Sequence, residues 1–221
     1  MKKEDFIMAK ESLKNKAYNL IKSKIIHCEY APGTFLNEST LMSEIGSSRT
    51  PIREALSKLE QEDLVKILPK KGVMVSDLSM NEINMIFETR ILIEPYIVRH
   101  YGQFVPAEIL LSMKDTFTRN HLQEISSEEI YFKDAQFHKL LIESSKNIYF
   151  IHTMERIYNQ NYRLRVMAGN RLKDRLIASN SEHREIIGMM LEKKYDAASE
   201  SMRLHLEKAK EASFANFINT Y

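Results

Sequence analysis

Apolar residues recur at helical spacing along most of the chain, and caps and breakers separate the runs. Ala17, Leu20, Ile21 and Ile25 mark a first helix over Ser12 to His27, and Pro32-Gly33 ends it before a short apolar run, Thr34-Phe35-Leu36. Asn37 caps a second short helix with Leu41, Met42 and Ile45 inward, and Gly46-Ser47 turns the chain into a third. That third helix has two unlike faces. Ile52, Ala55, Leu56 and Leu59 form one stripe, while Thr50, Arg53, Ser57 and Gln61 form the opposite one. Ser48 stands at its N-cap, Pro51 lies in its first turn, and Arg49 and Arg53 are one turn apart. Val65 to Leu68 and Val73 to Ser76 then read as strands joined by Pro69-Lys70-Lys71-Gly72. The order predicts a winged helix-turn-helix whose third helix offers its polar face to base edges and phosphates.

After Ser76-Asp77-Leu78 the period is helical throughout, so the fold class is mostly α, with the boundary between two domains at 78/79. Ser79 and Glu82 form a capping box for a helix to about Tyr101. Pro106 starts a second helix to about His121, Ser126 opens a third to about Glu143, and Asn147 caps a fourth to about Ala168, ended by Gly169. Ser179-Asn180-Ser181-Glu182 reads as a capping box for a fifth to about Lys193, and Asp196 to about Phe217 forms a sixth. Six helices predict an antiparallel bundle over residues 79–221.

Composition narrows the setting. The chain has 221 residues, 43% of them hydrophobic, enough to bury the cores of two modest domains. The formal net charge is only +2, so any affinity for nucleic acid has to come from where the cations sit. One cysteine, Cys28, rules out an internal disulfide, and the absence of a signal-like or long apolar segment predicts a cytoplasmic protein without a membrane partner.

The bundle carries a second constellation. Asp134 and His138 are one turn apart on its third helix, His183 lies on the fifth and His205 on the sixth, each on a stripe with apolar neighbours. An Asp with three imidazoles drawn from three helices suits a divalent transition metal: zinc first, with nickel, manganese or iron as alternatives. His27, His100, His121 and His152 fall outside these stripes and are assigned packing or surface roles.

With Pro32-Gly33, Ser48 to Leu56 and Gly72-Val73 in view, residues 1–78 resemble the DNA-binding domain of the GntR family of bacterial transcription regulators. The resemblance implies that Ser48, Arg49, Thr50 and Arg53 contact DNA, with Lys70, Lys71 and Gly72 of the wing at the minor groove or backbone. Two positions depart from the family pattern: Ser39, where some relatives carry arginine, and Asp63, where glycine commonly ends the recognition helix. The segments Asp134 to His138, Glu182 to Ile186 and Met202 to Leu206 resemble the ligand segments of the FCD effector domain, and Glu88 to Glu94 resembles its first helix. This implies a metal at Asp134, His138, His183 and His205 and a small organic or sugar acid as effector. Six helices point to the VanR-type subgroup. Arg90 is the candidate for the effector's carboxylate, unless it is already paired with an acid of the protein such as Glu94 one turn on. The expected protein is a repressor binding a palindromic double-stranded operator as a homodimer. A metal-dependent hydrolase would need a separate general base that no segment supplies, and a regulator whose metal only staples the bundle is the remaining alternative.

Overall fold

The structure is a computed structural model and describes residues 12–119 and 126–218. The chain divides into two compact units, the first ending at Asp77 and the second beginning at Leu78.

In the first unit, helix α1 (Leu13–Ile26) is capped by Ser12, whose side chain accepts from the Asn15 N–H, and it buries Ala17, Ile21 and Ile25 along one stripe. Strand β1 (Phe35–Leu36) leads to α2 (Glu38–Ile45), where Asn37 accepts from the N–H groups of Ser39 and Thr40. Gly46, at φ 67°, closes α2 in the left-handed region that suits glycine. The third helix, α3 (Arg49–Gln61), buries Ile52, Ala55, Leu56 and Leu59. Ser48 occupies its N-cap position, but its side chain makes no capping hydrogen bond. Just past α3, Asp63 adopts φ 59°, the left-handed conformation that glycine commonly supplies there. Strands β2 (Val65–Leu68) and β3 (Gly72–Val75) pair antiparallel, with β3 central in the order β1-β3-β2. The hairpin turn places Lys70 at φ 63° and Gly72 at φ 103°, so both lysines and the glycine stand at an exposed tip. The inward sides of α1, α2, α3 and the sheet share one core.

The second unit contains six α-helices among the described residues: α4 (Met80–Tyr101), α5 (Ala107–Arg119), α6 (Ser127–Ser144), α7 (Ile148–Ala168), α8 (Lys173–Leu191) and α9 (Tyr195–Ile218). The Ser79–Glu82 capping box is formed in both directions. The expected end of the second bundle helix at His121 lies outside the described residues. One boundary differs from expectation: α8 begins at Lys173, and the segment Ser179-Asn180-Ser181-Glu182 lies inside it. Tertiary contacts explain why: Ser179 donates to Asp134, and Glu182 pairs with Arg175 and His205. These side chains serve neighbouring helices instead of a helix end. Helix α4 runs through the unit against α9, α6 and α7, and α8 packs on α9 and α5 around a core that includes Phe137, Leu141, Ile187, Met202 and Leu206.

Candidate metal centre and nucleic-acid interface

Three helices bring four ligating side chains to one buried point. Asp134 and His138 project one turn apart from α6, His183 comes from α8 and His205 from α9; all are buried. One ligand atom from each lies within 4.8 Å of the others. His183 Nε2 is 3.2 Å from His138 Nε2 and 3.3 Å from His205 Nε2, and Asp134 oxygens lie 3.7 Å from His183 Nε2 and 3.8 Å from His138 Nε2.

The outer nitrogens of two rings are held by carboxylates. His138 Nδ1 is 2.5 Å from Glu94 Oε2, and His205 Nδ1 is 2.7 Å from Glu182 Oε2. A ring that donates through Nδ1 keeps its Nε2 lone pair free for a metal. A proton on His183 Nε2 serves only one of its two facing acceptors, so the cluster as a whole asks for a shared cation. Zinc–ligand bonds of ~2.1 Å arranged as a tetrahedron put neighbouring ligand atoms about 3.4 Å apart, which the observed separations bracket. The donor set therefore fits a divalent ion. Phe117 and Phe137 cover His183, with ring centroids 4.7 and 4.9 Å away, and keep that side dry.

Electrostatics favour the ligating form of Asp134, His183 and His205. Burial alone would raise the Asp134 carboxyl, but Arg165, His138 and His183 outweigh it and hold it well below the usual range. Burial, reinforced by His205, pushes His183 well below an ordinary imidazole. Burial also lowers His205 to about 4 against the opposing pull of Glu182. Glu94 and Glu182 each sit at about 2, because their partners outweigh desolvation: the Arg90 charge and the hydrogen bond to His138 for Glu94, hydrogen bonds to His205 and Arg175 for Glu182.

Arg90 is fully buried and paired: its Nε donates to Glu94 Oε1 at 2.6 Å. Of the two states left open by the sequence, the structure contains the paired one. Arg165, on α7, donates to Asp134. With its amide oxygen turned toward both guanidiniums, Asn161 accepts from Arg165 Nε at 3.3 Å and Arg90 Nη1 at 3.2 Å. Sequence reading did not pick out Arg165, Glu182 or Ser179 as partners of the cluster, because each meets its ligand across 23 to 45 residues. Only Glu94 left a trace, as the acid four residues after Arg90.

In the first unit, Ser48, Arg49, Thr50 and Arg53 are all exposed: Ser48 at the N-cap of α3, Arg49 in its opening turn, and Thr50 and Arg53 on the side turned away from the buried stripe. Both arginines approach Glu38 at the start of α2: Arg53 Nε lies 2.9 Å and Arg49 Nε 3.6 Å from its carboxylate. Lys70, Lys71 and Gly72 are exposed at the wing.

A winged-helix unit with a cationic recognition helix, followed in one chain by a helical unit with a buried Asp–His cluster, defines a class of DNA-binding regulator. The chain belongs to the GntR family of bacterial regulatory proteins: residues 13–75 match that family's domain, and residues 85–208 match the FCD domain. It is 26% identical over 200 residues to the HTH-type transcriptional repressor RspR of Escherichia coli K12, covering 88% of this chain and 86% of that one. Its fold is similar to that of a GntR transcriptional regulator from Rhodococcus sp. RHA1, with TM-score 0.77 at 18% identity over 93% of this chain and 99% of that one. The FCD domain of another regulator, solved metal-free and Zn2+-bound, matches with TM-scores 0.57 and 0.56 at 25% identity, covering 66% of this chain and 100% of that domain. The protein is thus a DNA-binding transcription regulator and not an enzyme.

Proposed function

We propose that this regulator is a dimeric repressor whose operator affinity is controlled by a small carboxylate bound beside a divalent metal in the helical unit. The observation that carries the reading is the set of ligand atoms on Asp134, His138, His183 and His205, all within 4.8 Å of one another. These four residues would hold the metal, with zinc the first candidate because a relative's FCD domain is described as Zn2+-bound. When bound, the metal supplies a Lewis acid for a carboxylate oxygen. This chain's own residues do the rest. Glu94 and Glu182 orient His138 and His205, and the Arg165–Asn161–Arg90 row supplies cationic donors next to the cluster. Both guanidiniums are already paired, Arg165 with Asp134 and Arg90 with Glu94, and Arg165 is the more accessible to an organic or sugar acid because its side chain is 12% exposed against 1% for Arg90.

Ser48, Arg49, Thr50 and Arg53 would read the major groove, with Lys70, Lys71 and Gly72 on the adjacent backbone or minor groove. The functional division falls at 1–78 and 79–221, and six bundle helices favour the VanR-type subgroup. No helix among the described residues is long and apolar enough to cross a membrane, and a DNA partner places the protein's work in the cytoplasm. Met85, Leu92 and Tyr96 form an exposed stripe on α4 that suits pairing with a second copy. The acid favours one of two bundle arrangements, and operator affinity follows by linkage. Native mass spectrometry of full-length protein, prepared without chelator, should show a dimer with one divalent ion per protomer and a retained acid. A metal-free monomer that still represses would overturn the reading.

A further inference from the structure

Arg49 and Arg53 are the strongest charges on the exposed face of α3, yet they do not stand alone. Glu38, the first residue of α2, receives Arg53 Nε on both carboxylate oxygens, at 2.9 and 3.1 Å, and its Oε2 lies 3.6 Å from Arg49 Nε. The two Nη groups of Arg53 have no protein partner among the described residues. The arginine side chains are 64% and 65% exposed and that of Glu38 is 29% exposed, so the cluster adds little to stability. Its geometry does more. An arginine free to rotate answers any acceptor, whether phosphate or base. One clamped along its Nε edge has its guanidinium plane fixed and presents a single fork of Nη donors.

We propose that Glu38 is a specificity-determining positioning residue, which clamps Arg53 so that its Nη fork reads a guanine in the major groove. Guanine offers two acceptors, O6 and N7, to such a fork, whereas adenine sets an amino donor beside N7. The carboxylate also offsets part of the recognition helix's positive charge, which weakens its pull on phosphates at non-cognate DNA. This rests on the reading of Arg53 as a DNA contact, and the test separates the two.

Full-length protein is used to select duplexes from a random pool, and binding is then measured by fluorescence anisotropy on the selected site with each base pair substituted in turn. In wild type, one guanine should depend on Arg53, with Arg53→Ala abolishing the preference there. Glu38→Gln should lower discrimination at that same position by on the order of tenfold. It should also tighten binding to unrelated duplex and steepen the salt dependence by about one unit of slope. At that position the double variant should discriminate no differently from Arg53→Ala alone. Unchanged melting temperature in Glu38→Gln excludes a folding effect. If Arg53→Ala loses the preference while Glu38→Gln keeps it in full, the clamp is refuted and the DNA contact stands. If Arg53→Ala binds as wild type does, both are refuted.

Discussion

Arg90 and Glu94, one turn apart on α4 and almost entirely out of solvent, are joined at 2.6 Å, and the other oxygen of Glu94 grips Nδ1 of His138. A pair that would be worth a few tenths of a kcal/mol on a helix surface here becomes part of the ligand cluster's support. Removing either partner has a different consequence. Arg90→Ala strands the buried Glu94 carboxylate without its guanidinium partner and should cost about 3–5 kcal/mol of stability, read by denaturant unfolding. Glu94→Gln keeps the volume but leaves the buried Arg90 guanidinium without its carboxylate and no longer polarises His138, so it should cost a similar amount of stability and also lower metal affinity about 10–100-fold. Equal metal affinity in Glu94→Gln and wild type would remove Glu94 from the support of the site.

The ligands themselves give the plainest test. A metal that binds only the folded bundle stabilises it by about 2.7 kcal/mol at about a hundredfold excess over its Kd, on the order of 5–10 °C for a chain of this size. Melting curves with and without zinc should differ by that amount in wild type. In Asp134→Ala, His183→Ala and His205→Ala the difference should vanish, whatever each substitution does to the metal-free protein. A zinc-dependent shift that survives in all three places the ion elsewhere.

Metal-free protein should lose stability as pH falls from neutral, and the sign follows from the imidazoles. His205 titrates at about 4 in the fold and at about 6.5 as a free imidazole, so below pH 6.5 the unfolded chain takes up protons that the native chain refuses. Its contribution is whole above pH 6.5 and is lost as pH drops toward 4, amounting to about 2 kcal/mol at pH 5. His183, also lowered, acts in the same direction. The carboxylates Glu94 and Glu182, at about 2 against 4.5 for an ordinary glutamate, add their own loss only below that higher value. Chemical denaturation of chelator-treated protein between pH 7 and 5 reads the imidazoles in isolation. A flat profile over that interval contradicts their neutral burial.

Much of this architecture is legible in the chain because its signals are local. Ser12, Asn37, Ser79, Ser126 and Asn147 each precede an apolar period and each caps a helix through its side chain. Gly46 and Gly169 end helices at positive φ, which favours glycine. What misled was also local. Ser179 and Glu182 have the spacing of a capping box, but in the fold one binds Asp134 and the other His205. Nothing within a few residues of either position reveals a partner 45 or 23 residues away. A separation of 31 residues likewise hides Arg165 from Asp134. The state of Arg90 was undecidable in one dimension, since i, i+4 spacing permits the Glu94 pair without requiring it, and burial alone makes the pair obligatory.

The wing and the recognition helix should fail in different ways. Lys70 and Lys71 stand exposed at the tip of the β2–β3 turn, positions from which a flexible ammonium meets phosphate as a point charge without reading a base. Lys71→Ala should therefore weaken binding to selected and unrelated duplexes by the same factor and reduce the slope of log affinity against log salt by about one. Arg53→Ala should instead cost about 1–3 kcal/mol on the selected site and little on unrelated DNA, because a base contact is lost only where the base is present. Titrations of both variants on both duplexes at several salt concentrations separate the two behaviours. A sequence-dependent loss in Lys71→Ala would move base reading to the wing, and a uniform loss in Arg53→Ala would reduce the recognition helix to a backbone contact.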